Sequence, residues 1–352
     1  MSARICIVHA GTHKTGTTSL QVFFQMNFDA FASGGVHVLQ AGRYKVERSD
    51  GTMGATGGHH GLAWDLVGGG REELSKVVDE LKTFGKRTAL LSSEDFSLLY
   101  ARPQELEALN EALRSVGYSP KIVLYLRAQA PYAESMYVER IKHEHVRPLE
   151  RYLETIVEQG RYLPEGTRQD IAFEYTRLVE PFARVFGREH VVVRAYRSSP
   201  NAQAIFRDFL DVIGSIDPEF LTKHIKFSIQ FPRENESPNF VTLLGYLHAA
   251  LLPDVPIAPA AMDFVHLHAP EVSEELAFGR YALLQRDDYV QLLQRFAPGN
   301  REIERLYGAQ IPFVTEADIP GEGDPLWDKA RLERAVFDRC LAAWMGAASG
   351  NK

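Results

Sequence analysis

The stretch "ICIVHAGTHKTGTTSL", residues 5–20, decides the fold of this chain. It begins with an apolar run typical of a buried strand, turns between Gly11 and Gly16, and ends in residues that suit the first turn of a helix. The first N–H groups of a helix have no acceptor within the helix, so such a turn binds anions. Hydroxyls at Thr17 and Thr18 add further donors. The stretch therefore predicts a phosphate-binding loop.

The spacing of the loop matches the phosphate-loop pattern GxxxxGK[ST] except at one position. Thr17 stands where that pattern has its lysine, and the lysine lies inside the loop as Lys14. A nucleoside triphosphate needs lysine on its terminal phosphates together with magnesium, whereas a phosphosulfate presents a single sulfonate beyond its phosphate. One inner lysine without a metal ion then suffices, so the displaced lysine favours a phosphosulfate ligand.

At every defined position the segment "THKTGTTSL", residues 12–20, resembles the loop [TP]xK[ST]GTxxL of sulfotransferases that use 3′-phosphoadenosine 5′-phosphosulfate (PAPS). The resemblance implies that Lys14 stabilises the leaving phosphate during transfer. No firm role follows for His13, whose side chain could point away from the nucleotide. The loop residues that the resemblance assigns to the nucleotide are Thr12, His13, Lys14, Thr15, Gly16, Thr17 and Thr18.

A second motif lies in "KIVLYLRAQAPYAESMYVERIK", residues 121–142. The apolar run 122–126 predicts a strand that Arg127 closes, and Pro131 suits the first turn of a helix that carries Ser135. Sulfotransferases of this type hold the 3′-phosphate with an arginine and a serine at this spacing, which implies the same role for Arg127 and Ser135. A guanidinium can bind two phosphate oxygens at once. The alternative is an arginine that merely ends a strand and a serine on a helix surface.

Composition limits the classes of partner. Apolar residues make up 45% and charged residues 24% of the 352 residues, which is ordinary for a globular protein. The net charge of −7 argues against nucleic acid and against a heavily sulfated polymer, although a local basic pocket remains possible. Cys6 and Cys340 have no cysteine nearby in the sequence and are interpreted as packing residues. The oligomeric state cannot be read from the sequence.

No stretch approaches the roughly 20 apolar residues of a membrane span, and no leader precedes the nucleotide loop. We therefore expect a cytoplasmic protein without a transmembrane segment. Eukaryotic relatives that modify glycans usually carry a Golgi anchor, and its absence favours a soluble enzyme of the bacterial type.

Strand and helix patterns alternate through the first part of the chain and predict an α/β fold with a parallel central sheet flanked by helices, the phosphate-loop NTPase-like fold of sulfotransferases. One of these helices is predicted to begin at Pro103. From Asn239 onward the patterns are mainly helical, with helices predicted at 240–252, 287–296, 300–308 and 328–346 that are separated by proline-containing loops. We expect one domain over about 1–348, with an α/β core over about 1–215 and a helical cap over about 216–348. The glycine-rich residues 49–70 are predicted to form a mobile loop with a short helix at 62–67.

Two candidates for a general base stand out. Glu94 follows a buried strand at the carboxyl edge of the sheet, where ligands collect, and glycan sulfotransferases often carry a glutamate base there. Alternatively, Glu94 and Asp95 simply cap the next helix. His59 and His60 lie in the glycine-rich stretch, and a histidine there titrates near neutral pH and could swing over an acceptor, but a solvent-facing loop pair is the preferred description. The catalytic candidates are Lys14, Glu94 and His60.

A polar loop between the two parts contains Arg233, Asn235 and Ser237. It is a candidate to close over the 3′-phosphate or the acceptor. A cap for the helix that begins near Asn239 explains the same residues.

Together these features predict an enzyme that moves the sulfuryl group of PAPS to an acceptor hydroxyl and releases PAP, the desulfated nucleotide, without a metal. The acceptor is a small molecule or a glycan, and carbohydrate follows from the resemblance alone. Two alternatives remain open. One is a phosphate-loop kinase that uses ATP and magnesium, with Asp95 organising the metal. The other is a non-catalytic nucleotide-binding module.

Overall fold

The computed structural model describes residues 4–47, 53–84, 87–143, 148–164, 166–196, 203–214, 218–227, 282–308, 319–324 and 327. The strands are β1 (Arg4–His9), β2 (Val36–Val38), β3 (Lys45–Glu47), β4 (Met53–Ala55), β5 (Thr88–Ser92), β6 (Tyr118–Leu126), β7 (Arg161–Tyr162), β8 (Ile171–Ala172) and β9 (Val191–Ala195). The helices are α1 (Thr17–Met26), α2 (Phe28–Ser33), α3 (His60–Gly68), α4 (Glu72–Phe84), α5 (Pro103–Ser115), α6 (Gln129–His143), α7 (Leu149–Gln159), α8 (Tyr175–Phe186), α9 (Gln203–Ile213), α10 (Pro218–His224) and α11 (Arg286–Tyr307).

The predicted α/β fold class is confirmed. A five-stranded sheet has the order β2-β5-β1-β6-β9, and all of its paired strands run parallel. Ile7 in β1 lies opposite Leu90 in β5 on one side and Lys121 in β6 on the other. Because β1 is the middle strand, the loop that follows it lies at the centre of the carboxyl edge, where open parallel sheets bind ligands.

One face of the sheet is covered by α1, α2 and α9, which bury an aromatic core. The rings of Phe23 in α1 and Phe206 in α9 stack with centroids 4.5 Å apart. Ile7, Leu90 and Val123 supply the sheet side of this core. Burying each such side chain contributes about 1.5–3 kcal/mol before the entropy cost of ordering it. This packing fixes the start of α1, and therefore the loop before it, against β1.

Side chains alternate between the two faces of a sheet along each strand. On the second face, α5 and α8 pack against β6. Pro103 is the first residue of α5, as the sequence predicted, because a helix start needs no N–H there. Leu106, Leu109 and Leu113 form its buried stripe at helical spacing. The sheet is therefore covered on both faces, as parallel sheets require.

The glycine-rich stretch differs from its prediction. In its described part, residues 53–70, β4 pairs antiparallel with β3 and α3 begins at His60, so the prediction of a mobile loop is wrong there. The predicted short helix at 62–67 lies inside α3, which is longer. Thr56 N–H donates to the Tyr44 carbonyl at 2.8 Å, and Leu62 N–H donates to the Gly42 carbonyl at 2.9 Å. These bonds tie the stretch to the segment before β3.

A second difference concerns the residues around Pro298. The segments 287–296 and 300–308 were predicted as two helices divided by a proline loop, but the single helix α11 runs through both. A proline removes one backbone donor, and burial of Leu292, Phe296 and Ile303 along the helix opposes that loss. The predicted helices at 240–252 and 328–346, like Cys340, lie outside the described residues.

The chain divides into two compact units. The first comprises residues 1–128, 160–231 and 296–313, and it contains the five-stranded sheet. The second comprises residues 129–159, 232–295 and 314–352. In the second unit the rings of Tyr137 and Tyr152 lie 5.1 Å apart, and the hydroxyl of Tyr152 donates to the Ala133 carbonyl at 3.1 Å. The single domain over 1–348 with a helical cap stays a prediction.

Cys6 lies in β1 and is completely buried. Burial raises the pKa of its thiol to about 12. Its position agrees with the packing role that the sequence suggested. No helix in the described ranges is both long and apolar enough to cross a membrane.

Candidate functional site

The loop between β1 and α1 has an unusual backbone. Lys14 has φ 61°, the left-handed region that few residues other than glycine adopt. Gly16 has φ 74° and immediately precedes the first residue of α1. Two left-handed residues within the three positions 14–16 turn the chain tightly enough for a strand to pass directly into a helix. The side chains of Lys14 and Thr18 lie exposed at this turn.

Two threonines of the loop hold it together from within. The hydroxyl of Thr15 donates to the Thr12 carbonyl at 2.5 Å. The hydroxyl and the N–H of Thr12 both donate to the Tyr125 carbonyl in β6, at 3.2 Å and 2.9 Å. These hydroxyls are therefore engaged in loop structure, and any contact of Thr12 and Thr15 with a nucleotide stays a prediction.

The start of α1 offers donors for an anion. The hydroxyl of Thr17 is buried and has no hydrogen-bond partner. A buried hydroxyl without a partner is costly unless a ligand or water satisfies it. The N–H groups of the first helical turn, including those of Thr17 and Thr18, have no acceptor within α1. These donors fit a phosphate group, which the helix dipole also favours at this end.

Arg127 meets this loop. It follows the last residue of β6, and its Nη1 donates to the Lys14 carbonyl at 3.0 Å. The guanidinium lies 5.8 Å from the centroid of the Tyr196 ring, and the hydroxyl of Tyr175 donates to the carbonyl of Arg127. The two motifs that the sequence singled out, 113 residues apart, are therefore in direct contact.

Ser135 lies on α6, in the second compact unit, and is half-buried. Its place beside Arg127 at the 3′-phosphate stays a prediction. Arg233, Asn235 and Ser237 lie outside the described residues, and their role stays a prediction as well.

A cluster of polar side chains surrounds Asp95, which follows β5 by three residues and is buried. One carboxylate oxygen, Oδ1, lies 3.0 Å from His13 Nε2. The other, Oδ2, lies 2.9 Å from His60 Nδ1 and accepts a hydrogen bond from Trp64 Nε1, also at 2.9 Å. Asp95 thus joins the phosphate loop, through His13, to the first turn of α3. His13 directs its Nε2 toward this carboxylate.

The pKa values in this cluster follow from its contacts. Burial alone would raise the pKa of Asp95, but the hydrogen bonds from His13 and His60 outweigh burial and hold it well below its usual range. Burial alone would lower the pKa of His60, but the hydrogen bond with Asp95 and the charges of Glu94 and Asp95 raise it. Asp95 is therefore a fixed negative charge, and His60 holds its proton more tightly than an ordinary histidine.

Glu94 lies beside this cluster. Its Oε2 accepts a hydrogen bond from Gln21 Nε2 at 3.1 Å and lies 4.0 Å from His60 Nε2. The alternative that Glu94 and Asp95 cap the following helix is wrong, because Ser93 does so: its hydroxyl accepts from the Asp95 N–H at 3.2 Å. The short 3₁₀ helix Glu94–Ala101 begins with both carboxylates turned to other partners. The two catalytic candidates Glu94 and His60 are thus neighbours.

The interpretation of His59 and His60 as a solvent-facing loop pair is wrong. His59 is fully buried, and its Nε2 donates to the Leu39 carbonyl at 2.8 Å. Its Nδ1 accepts from the Ser92 N–H at 3.0 Å, which requires the neutral ring. Burial lowers the pKa of His59 to about 4, with a further contribution from the charge of Arg43. His59 is therefore a structural residue beneath the site.

Sequence reasoning missed three members of this site. Gln21 lies on the helix after the phosphate loop, Trp64 lies on α3, and Asp95 was considered only as a cap or a magnesium ligand. Their contacts span 31 to 82 residues of sequence, so no local spacing pattern could have connected them. Across the described ranges, no group of three or more histidine, cysteine, aspartate or glutamate side chains could hold a metal ion.

No family model matches the chain, and no curated protein matches it. Among solved structures, the chain is similar to a crystal structure of a sulfotransferase from Alicyclobacillus acidocaldarius, with 16% sequence identity and a TM-score of 0.40 over 88% of this chain and 98% of that chain. A similarity at this level does not identify a family.

Proposed function

We propose that this protein is a sulfotransferase that transfers the sulfuryl group of PAPS to a hydroxyl of a small-molecule or glycan acceptor and releases PAP. One observation carries the proposal: Arg127 donates to the Lys14 carbonyl, so the phosphate loop and the second motif meet at the carboxyl ends of β1 and β6. Adjacent anion sites on neighbouring strands suit a nucleotide that carries phosphate at both its 5′ and 3′ positions.

Each end of that nucleotide has donors of suitable chemistry. The hydroxyl of Thr17 and the first N–H groups of α1 suit the 5′-phosphate, and the ammonium group of Lys14 adds positive charge beside them. Arg127 suits the 3′-phosphate because its guanidinium presents several N–H groups in one plane. Ser135 is proposed to complete that end.

The proposed reaction is an in-line displacement at sulfur. The acceptor oxygen forms a bond to sulfur while the bond from sulfur to the 5′-phosphate oxygen breaks, and its electron pair stays on that oxygen. Lys14 stabilises the negative charge that develops there. The proton of the acceptor hydroxyl passes to a base within hydrogen-bond reach. The reaction needs positioning and charge stabilisation more than covalent chemistry.

Glu94 is the base that we propose. His60 has a raised pKa, so it keeps a proton over more of the neutral range and is a poorer acceptor there than an ordinary histidine. A carboxylate oxygen can accept the proton directly. The imidazolium of His60, 4.0 Å away, then stabilises the negative charge of Glu94 before transfer.

Thermal unfolding tests the proposal. PAP without magnesium should raise the melting temperature of the purified protein, and ATP with magnesium should have little effect. Arg127→Ala should lose the shift. Arg168→Ala should keep it, because this exposed arginine also donates to a backbone carbonyl, that of Gly68, but lies in neither motif. No shift with PAP would overturn the proposal, and a larger shift with ATP and magnesium would favour the kinase.

A further inference from the structure

Two aromatic side chains lie open to solvent beside the Asp95 cluster. Tyr44 and Trp64 expose 47% and 44% of their surface, whereas most large aromatic side chains of the described residues are buried. Their rings meet edge to face with centroids 5.1 Å apart. Adjacent exposed aromatic rings form an apolar patch, and such patches mark binding surfaces. We call this pair the aromatic wall.

The aromatic wall is fixed to the site at one end. The indole N–H of Trp64 donates to Asp95 Oδ2, which prevents the ring from rotating freely. The Trp64 ring also lies 5.7 Å from the His60 ring. His60 in turn lies 4.0 Å from Glu94. A molecule that rests on the wall therefore lies next to the groups that the proposed reaction uses.

The surroundings indicate what such a molecule offers. Beside the apolar rings stand a carboxylate, a carboxamide and an imidazole, those of Glu94, Gln21 and His60. A pyranose ring matches this combination, because it has a face of C–H groups and an edge of hydroxyls. A phenol has only one hydroxyl, and an enclosed apolar pocket binds it better than an exposed aromatic surface.

We propose that Tyr44 and Trp64 stack against a pyranose ring of the acceptor and present one of its hydroxyls to Glu94. This inference rests on the proposed sulfuryl transfer and names its acceptor class. It assigns a binding role to two residues that no sequence motif includes.

Saturation-transfer NMR tests the inference without requiring turnover. The probes are methyl β-D-glucopyranoside, methyl β-D-galactopyranoside and p-nitrophenol, each added to the full chain with and without PAP. We expect saturation on the C–H protons of one face of at least one glycoside. Tyr44→Ala should weaken glycoside binding about tenfold, and Tyr44→Phe, which keeps the ring, should restore most of it.

Tyr44 is the better position to change because Trp64 also bonds to Asp95. Leu163→Ala is the matched control, since Leu163 is an apolar side chain of nearly the same exposure, 48%, that belongs neither to the aromatic wall nor to the Asp95 cluster. Saturation of p-nitrophenol but of neither glycoside would overturn the sugar assignment. Equal glycoside signals in wild type and Tyr44→Ala would overturn the assignment to the aromatic wall.

The two proposals fail separately. If PAP raises the melting temperature but no glycoside shows saturation, the aromatic wall does not bind sugar and the sulfotransferase proposal stands. If PAP has no effect but glycosides give signals that Tyr44→Ala removes, the sugar site stands and sulfuryl transfer falls.

Discussion

The guanidinium of Arg127 holds the carbonyl of Lys14 at 3.0 Å, so a residue at the end of β6 supports the strained turn after β1. Lys14 keeps a φ of 61° in that turn, which most residues avoid. Because Arg127 contacts the backbone of Lys14, this contact positions the loop independently of the lysine side chain. We therefore expect Lys14 and Arg127 to make separable contributions to the proposed sulfuryl transfer.

We expect Lys14→Ala to lower kcat about 10²- to 10³-fold with a small change in PAP affinity, because in the proposed reaction the charge of Lys14 acts on the leaving oxygen. Arg127→Ala should instead weaken PAP binding by roughly 10- to 100-fold, the usual cost of losing hydrogen bonds to a charged group. Initial-rate kinetics and calorimetric PAP titration measure the two effects. Arg127→Lys, which keeps the charge without the planar fork, should fall between Arg127→Ala and wild type.

Glu94→Gln removes the proposed proton acceptor while keeping size and hydrogen bonding to Gln21. Its kcat should fall about 10²- to 10⁴-fold, with PAP affinity unchanged. Single-turnover rates at saturating PAPS isolate this step. A wild-type rate in Glu94→Gln together with a large loss in His60→Gln would transfer the base role to His60.

Asp95→Asn should lower the pKa of His60. In the wild type the hydrogen bond with Asp95 and the nearby carboxylate charges raise that pKa against the effect of burial. Without the Asp95 charge, only Glu94 opposes the effect of burial, so the midpoint should fall below its wild-type value. An NMR titration of the His60 ring protons, assigned with a His60→Gln spectrum, measures the shift. An unchanged midpoint would show that Asp95 does not control His60.

Gly16→Ala should destabilise the fold more than Gly35→Ala does. Both glycines have positive φ, 74° and 86°, so each alanine incurs a backbone cost of about 1–2 kcal/mol. At Gly16 a Cβ would also lie 3.0 Å from Ile205 Cδ1 and 3.1 Å from Tyr196 Cε2, whereas a Cβ at Gly35 meets nothing within 4 Å. Urea unfolding compares the free energies. Equal losses in the two variants would contradict the crowding at Gly16.

Stability should fall as pH drops from about 6.5 toward 4. Burial lowers the pKa of His9 to about 3 and that of His59 to about 4, so over this range the unfolded chain binds protons that the folded chain excludes. His60 acts in the opposite sense, because its raised pKa stabilises the fold at low pH and that contribution is lost as pH rises through the folded value. Asp95, with its lowered pKa, loses its contribution only in stronger acid.

Melting temperatures across pH 4–8 measure this slope. His9→Phe removes one of the two imidazoles whose pKa is lowered, His9 and His59, and should give a shallower slope, even though it loses the contact between His9 Nδ1 and Ser92 Oγ. His190→Gln serves as control, since the side chain of His190 is 34% exposed. A slope unchanged in His9→Phe would contradict the assignment.

Local signals in the sequence predicted much of the fold. The phosphate loop was predictable because strand, glycine turn and helix start follow one another within 16 residues, and α5 because Pro103 marks its first turn. Pro298 misled the prediction, since burial of the neighbouring apolar side chains within one long helix is a tertiary effect. The glycines of 53–70 misled it similarly, because hydrogen bonds to the Gly42 and Tyr44 carbonyls order that stretch.

The candidate site was predictable only in part. Lys14 and Arg127 carry motif signals, and Glu94 follows a recognisable strand. His13, His60 and Trp64 all contact the carboxylate of Asp95. These contacts depend on the order of strands in the sheet, which sequence spacing does not encode. Exposure of Tyr44 and Trp64 was equally unpredictable, since aromatic residues in a sequence usually indicate a core.

Cys6 lies in the middle strand of the sheet, next to the strand residues that precede the phosphate loop. A thiol reacts as its thiolate and only where a reagent can reach it, and burial denies Cys6 both conditions. Alkylation of this sulfur therefore requires β1 to separate from its neighbours. The rate at which Cys6 is alkylated therefore reports how often the central sheet opens. A tightly bound nucleotide should lower that rate.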